Sequence, residues 1–238
     1  MDVPRPEIRT GQLNTIGQQV FCLLLAFLTI GCINLKQPAI KVDYYQIEYG
    51  PLNSPTSEPL DVVLGLRSFT IATAYDHDRI VYEEEAFKRQ SYYHHRWVAN
   101  PSAIIRNALL KDLQNSGCYR AVTLIPGSIT WDYELHGHIH EIGEKDMGEN
   151  WTAVIDLEIT FIKAPAGRSV KKILFQKNYR HSATCEKKEP VAVVVAMSQA
   201  VKELSLELQK DIYKAIQNEM KLEEPQKASL DRSATKDH

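Results

Sequence analysis

The sequence lacks any lysine- or arginine-rich block. Its 28 basic and 30 acidic residues leave a formal net charge of −2, and an isolated pair such as Lys171-Lys172 is most simply a solvated strand or loop. Nucleic-acid binding as the main task is therefore disfavoured. The sequence also lacks a membrane-spanning stretch: its one strongly apolar run, Val20 to Ile30, is 11 residues long, against the roughly 20 needed to cross a bilayer. No G-x-S-x-G elbow, P-loop or H-E-x-x-H pattern occurs, so no motif points to a hydrolase or a nucleotide-binding enzyme. No internal repeat stands out. Cysteine is scarce, with four in all: Cys22, Cys32, Cys118 and Cys185.

What is present begins at the N-terminus. Arg5 and Arg9 precede the apolar run, no charge interrupts Thr10 to Leu35, and Leu28-Thr29-Ile30-Gly31 leads directly into Cys32. The length of the run fits the h-region of a secretory signal, and the four residues before Cys32 look like a bacterial lipobox, although Thr29 stands where leucine is commonest. The expected division is a signal peptide over 1–31, lipid on Cys32 and a short tether over 32–41. One acyl chain anchors only marginally, at ~0.8 kcal/mol per buried CH₂, whereas two or three hold a protein on a membrane. Ile33 follows the cysteine where an aspartate would signal retention at the inner membrane, so the outer membrane is the expected address. Cys22 would leave with the signal. Cys118 and Cys185 remain as a candidate disulfide in an oxidising compartment, the alternative being two buried free thiols.

The pattern downstream predicts an α+β domain over 42–218. Strands are expected at Val42–Tyr49, Leu60–Ile71, Arg79–Tyr82, Phe87–Trp97, Ala121–Ile125, Tyr133–Ile142, Trp151–Ile162 and Lys172–Cys185. The Trp151–Ile162 segment alternates, with Ile155, Leu157, Ile159 and Phe161 set against Asp156, Glu158 and Thr160. That pattern indicates a mostly antiparallel sheet, wet on one side. Two helices interrupt the strands. Asn100-Pro101 caps and opens the first, Ile105, Leu109 and Leu113 line its apolar face, and Gly117 is placed to end it. Pro190 opens the second, whose Val193, Met197, Ala200, Val201, Leu204, Leu208, Ile212 and Ile216 share one face. Both helices are expected to pack on one face of the sheet as a single domain. The polar segment 219–238 reads as a disordered tail.

Two sets of residues qualify as candidate sites. His136, His138 and His140 alternate on one strand, so they point to one face about 6.8 Å apart, with Glu134 beside them. Two imidazoles could share a zinc ion, but the simpler reading is a solvated strand face, and no metal or other cofactor is expected. Tyr92, Tyr93 and Trp97 form an aromatic cluster ahead of the first helix. Tyr92 and Trp97 are candidates for a partner-facing hot spot, against the alternative that they pack the start of that helix. No catalytic residue is assigned, and neither remaining cysteine has the motif context of a nucleophile.

The chain resembles the ABC-type transport auxiliary lipoproteins, the PqiC-like group. The segments that carry the resemblance are Tyr44-Tyr45-Gln46-Ile47, Arg79-Ile80-Val81-Tyr82, Tyr92-Tyr93 with Trp97-Val98-Ala99 and Pro101, Leu113 to Tyr119, Tyr133 to Gly137, and Ala196 to Ala200. The order and spacing of these segments carry it, since none is a signature alone. The resemblance implies a non-catalytic envelope protein that works beside an ABC transporter and a protein with mammalian-cell-entry (MCE) domains, supports lipid movement between membranes, and in some members forms homo-oligomeric rings. Two rival readings remain: an assembly lipoprotein of another envelope machine, such as lipopolysaccharide export, and a periplasmic metal-binding protein using the histidine strand.

Overall fold

A computed structural model describes residues 41–52, 58–127, 129–146, 148–164 and 170–234, with side chains to 223. Cys32 and the apolar run before it lie outside the described residues. The elements follow in the order β1 (Asp43–Tyr45), β2 (Leu60–Leu66), β3 (Thr70–Ile71), a one-turn 3-10 helix (Thr73–Tyr75), β4 (Arg79–Glu85), β5 (Lys88–Trp97), α1 (Pro101–Asn115), β6 (Tyr119–Leu124), β7 (Tyr133–Asp146), β8 (Trp151–Lys163), β9 (Lys172–Thr184) and α2 (Pro190–Ala234). The expected first strand survives only as three residues, and the second is broken in two. No helix among the described residues is long and apolar enough to cross a membrane.

All nine strands belong to one mixed sheet organised around β7. Along one edge β7 pairs antiparallel with β8 over its whole length, and β8 pairs likewise with β9. The other edge of β7 is shared in succession by β2 at Tyr133–Leu135, β3 at His138–Ile139 and β4 at Glu144–Lys145, all parallel to it. These three strands act as one interrupted strand running beside a continuous one. At the first interruption Phe69 turns inward over Gly137, where a Cβ would lie 2.7 Å from the ring; only glycine leaves room for it. β6 then adds parallel to β2, β5 antiparallel to β4, and β1 parallel to β5. The long pairings are antiparallel, as the alternation predicted, and the short ones that close the sheet are mostly parallel. Pairing partners of that kind leave no local trace in sequence.

Both helices cover one face of the sheet, α2 over β8 and β9 and α1 over β6 and β7. The Asn100 side chain accepts the Ser102 amide at 2.9 Å, and Gly117 takes φ = 66° after α1, a conformation that favours glycine. The predicted faces are the core: Ile105, Leu109 and Leu113 from α1, and all eight residues expected from α2, are buried against Ile139, Ile155, Leu157, Ile159 and Phe161. The wet side of β8 is narrower than expected. Glu158 and Thr160 keep some exposure, but Val154 and Asp156 are buried, and Arg180 reaches across to Asp156 at 2.6 Å.

The second helix runs past 218 and continues to Ala234. Side chains explain the continuation as far as they are described. Glu219 is buried and accepts from Lys163 and Lys172, and Glu223 pairs with Lys163 as well. These contacts tie the helix to the turn end of the β8–β9 hairpin, and a helix already nucleated extends at little cost.

Candidate interaction surface

The segment after β1 runs between the two helices and is held there by a buried polar knot. Asp112, on the inner side of α1, accepts from the Tyr49 hydroxyl and the Ser205 hydroxyl, each at 2.6 Å. The Glu48 amide donates to Ser198 of α2 at 3.2 Å. Burial, and then the Asp112 carboxylate, push the Tyr49 phenol well above its usual range. Over this knot opens a groove of about 770 Å³ between Gln46–Pro51 and the outer side of α1, lined by Val98, Ile104, Asn107, Ala108 and Lys111. Its walls combine apolar side chains with amides and one lysine.

The sequence-derived aromatic candidates fall on the other side of this boundary. Trp97 is 2% exposed and belongs to the core. Tyr92 is half-buried, packs its ring at a tilt against Tyr82 and donates from its hydroxyl to Glu144 at 2.9 Å. Trp97 therefore presents no ring to a partner, and the Tyr92 hydroxyl is engaged by the sheet. The exposed large apolar side chains of this region are Tyr44, Tyr93, Val98 and, at the tip of the β4–β5 hairpin, Phe87 at 99% exposure with φ = 71°.

The three histidines do share a face, but they are engaged separately. His136 bonds to Glu134 at 2.9 Å and His138 to Thr70 at 2.7 Å, while His140 lies 3.8 Å from Glu158. Among the described residues no group of three or more His, Cys, Asp or Glu side chains converges to hold a metal. Of the two readings of the remaining cysteines, the structure has the second: Cys118 and Cys185 are buried free thiols. Cys118 accepts from Leu60 just before β6, beyond the Tyr133 end of the β7–β8 hairpin, and Cys185 donates to Trp151 at the opposite end. At about 3.3 Å per residue, that hairpin separates them by roughly 40 Å, against a limit of about 7 Å for a bridge. Burial, and then Glu144, push the Cys185 thiol up to about 11, so it is not a nucleophile at neutral pH.

Two glutamates of β7 are buried. Glu134, 2% exposed, accepts from Arg67, Lys171, His136 and Trp131 at 2.8 to 3.0 Å. Burial alone would raise its pKa, but these donors outweigh it and hold the carboxyl far below the usual range. Glu144 is equally buried, with Tyr92 as its donor and one oxygen without a partner among the described residues. Burial, with Asp146 and Glu84 adding repulsion, raises it to about 7. Glu144 and Asp112 share the buried phase of their elements, and charge at core phase is the sequence signal that could have singled them out, whereas Glu134 lies on the histidine face of β7.

The fold places the chain in a known class of α+β domains. A crystal structure of a Xanthomonas campestris protein of the DUF330 family matches 75% of this chain and 99% of its own, at 17% identity and a TM-score of 0.68. An uncharacterised protein matches 72% and 99%, at 13% identity and a TM-score of 0.57. No curated protein matches the chain. The family is given by residues 45–209, which match the model of the ABC-type transport auxiliary lipoprotein component. The chain belongs to that family of bacterial envelope lipoproteins.

Proposed function

We propose that the chain is a lipid-anchored, non-catalytic auxiliary component of an ABC/MCE-type lipid transport system, held at the outer membrane by lipid on Cys32 with its body facing the periplasm. The observation that carries this reading is the family match, which runs from the start of the folded domain deep into α2. The sequence before that domain supports the anchor, since Cys32 follows the lipobox-like Leu28–Gly31. A braced body with an open groove beside α1 and an exposed Phe87 suits work done through protein contacts. A homo-oligomeric ring is the assembly the resemblance implies. Crosslinking in membranes followed by pull-down is expected to recover an MCE-domain protein and ABC transporter components. Recovery instead of lipopolysaccharide-export proteins would overturn the assignment in favour of that machine.

A further inference from the structure

We propose that the face formed by the start of β9 and the C-terminal half of α2 lies against a bilayer surface carrying anionic headgroups. The observation is an asymmetry of unused charge. Every acidic residue on the described part of α2 lies within 4 Å of a lysine or histidine nitrogen on the sheet. Glu203 and Glu207 face His181, Glu207 and Asp211 share Lys177, and Glu219 and Glu223 take Lys163 and Lys172. Lys210, Lys214 and Lys221 have no such partner among the described residues, and all three are exposed. Their spacing of four and then seven residues places them on one side of the helix. Ordinary solvated helices mix both signs; here the acids, although Glu203, Glu207 and Glu223 stay partly exposed, have partners on the sheet, and the charge left unpartnered is cationic.

Beside this lysine row lies an open groove of about 440 Å³, between β9 and α2. Lys214 stands on its rim with Lys172 and Lys177, and its apolar lining includes Ile173, Phe175 and Leu222. Ile173 and Leu222 are among the most exposed apolar side chains described. Lysines on an outer strand can serve simply to block pairing with another sheet, and Lys172 and Lys177 fit that role. The row on α2 does not, because a helix has no free edge. Cations flanking exposed aliphatic side chains have the composition of a surface that rests on anionic headgroups, with the apolar groups reaching toward the acyl boundary. Each such lysine raises affinity for an anionic bilayer about fivefold, and three together about a hundredfold. The inference rests on the proposed anchor only for bringing a bilayer within reach.

The test uses the full lipidated chain in nanodiscs of phosphatidylcholine alone or mixed with phosphatidylglycerol, read by hydrogen–deuterium exchange. Exchange over 170–178 and 207–223 should slow several-fold in the anionic discs only. The difference should vanish at about 1 M salt, where the Debye length is about 3 Å, and in the triple variant Lys210→Glu, Lys214→Glu, Lys221→Glu. The β4–β5 hairpin should exchange alike in both discs. Equal exchange in the two compositions, or protection retained by the charge-reversed variant, overturns the proposal. So does protection that needs an added protein partner. Co-elution of the chain with the discs reports the anchor independently, so failure of the anchor and failure of the face are distinguishable.

Discussion

Two glutamates on β7 respond to pH in opposite directions. Glu144 is raised to about 7 in the folded protein from an ordinary 4.5. The native state therefore holds its proton more tightly, and folding loses stability as pH rises from about 4.5 through 7. Glu144→Gln removes that penalty: in urea titrations it should match the wild type near pH 4 and exceed it by on the order of 2–3 kcal/mol at pH 8. Glu134 is lowered by its ring of donors, so its contribution is present above 4.5 and fades as pH falls below it. Glu134→Gln should accordingly cost stability at neutral pH and little in acid. An unchanged pH profile in either variant would remove the corresponding account. Trp97, fully buried, belongs to the same scale: Trp97→Ala should cost roughly 3–5 kcal/mol, read as a lowered melting temperature, rather than selectively weaken a partner contact.

At the scale of elements, α1 illustrates how much a sequence can say. Its cap, its proline, its buried face and its terminating glycine were all legible, because each is a local requirement of helix geometry. Asn100→Ala should cost about 1 kcal/mol, and an unaltered denaturation midpoint would show that the 2.9 Å cap bond carries no weight. The long strands were legible for the same reason, through alternation and length. The parallel pairings of β2, β3 and β4 with β7 were not, since residues some 60 to 70 apart meet there and nothing local encodes the meeting. The continuation of α2 was missed because composition argued for disorder while its anchors, Lys163 and Lys172, lie on distant strands. The burial of Trp97 and the bond from Tyr92 to Glu144 were not legible, because the neighbours of β5 are set by non-local pairing.

At the scale of the whole molecule, the body's family is shown and its attachment is the proposal most open to direct test. Cys32→Ser, or globomycin treatment, should block processing and release or mislocalise the protein, measured by fractionation and by mass of the mature N-terminus. Unchanged processing and membrane association would reject the lipidated anchor. The placement of β7 has a further consequence, for biogenesis. A chain that emerges from a translocase N-terminus first presents β2, β3 and β4 well before the strand they share. Until β7 arrives, the β4–β5 hairpin and the β2 segment are separate fragments with open edges and no common core. Such non-local closure is slow, and unpaired edges invite pairing with other chains. Under the proposed export, new copies of this protein pass through an aggregation-prone interval whose length is set by the distance from β2 to β7, and periplasmic chaperones should bind them during it.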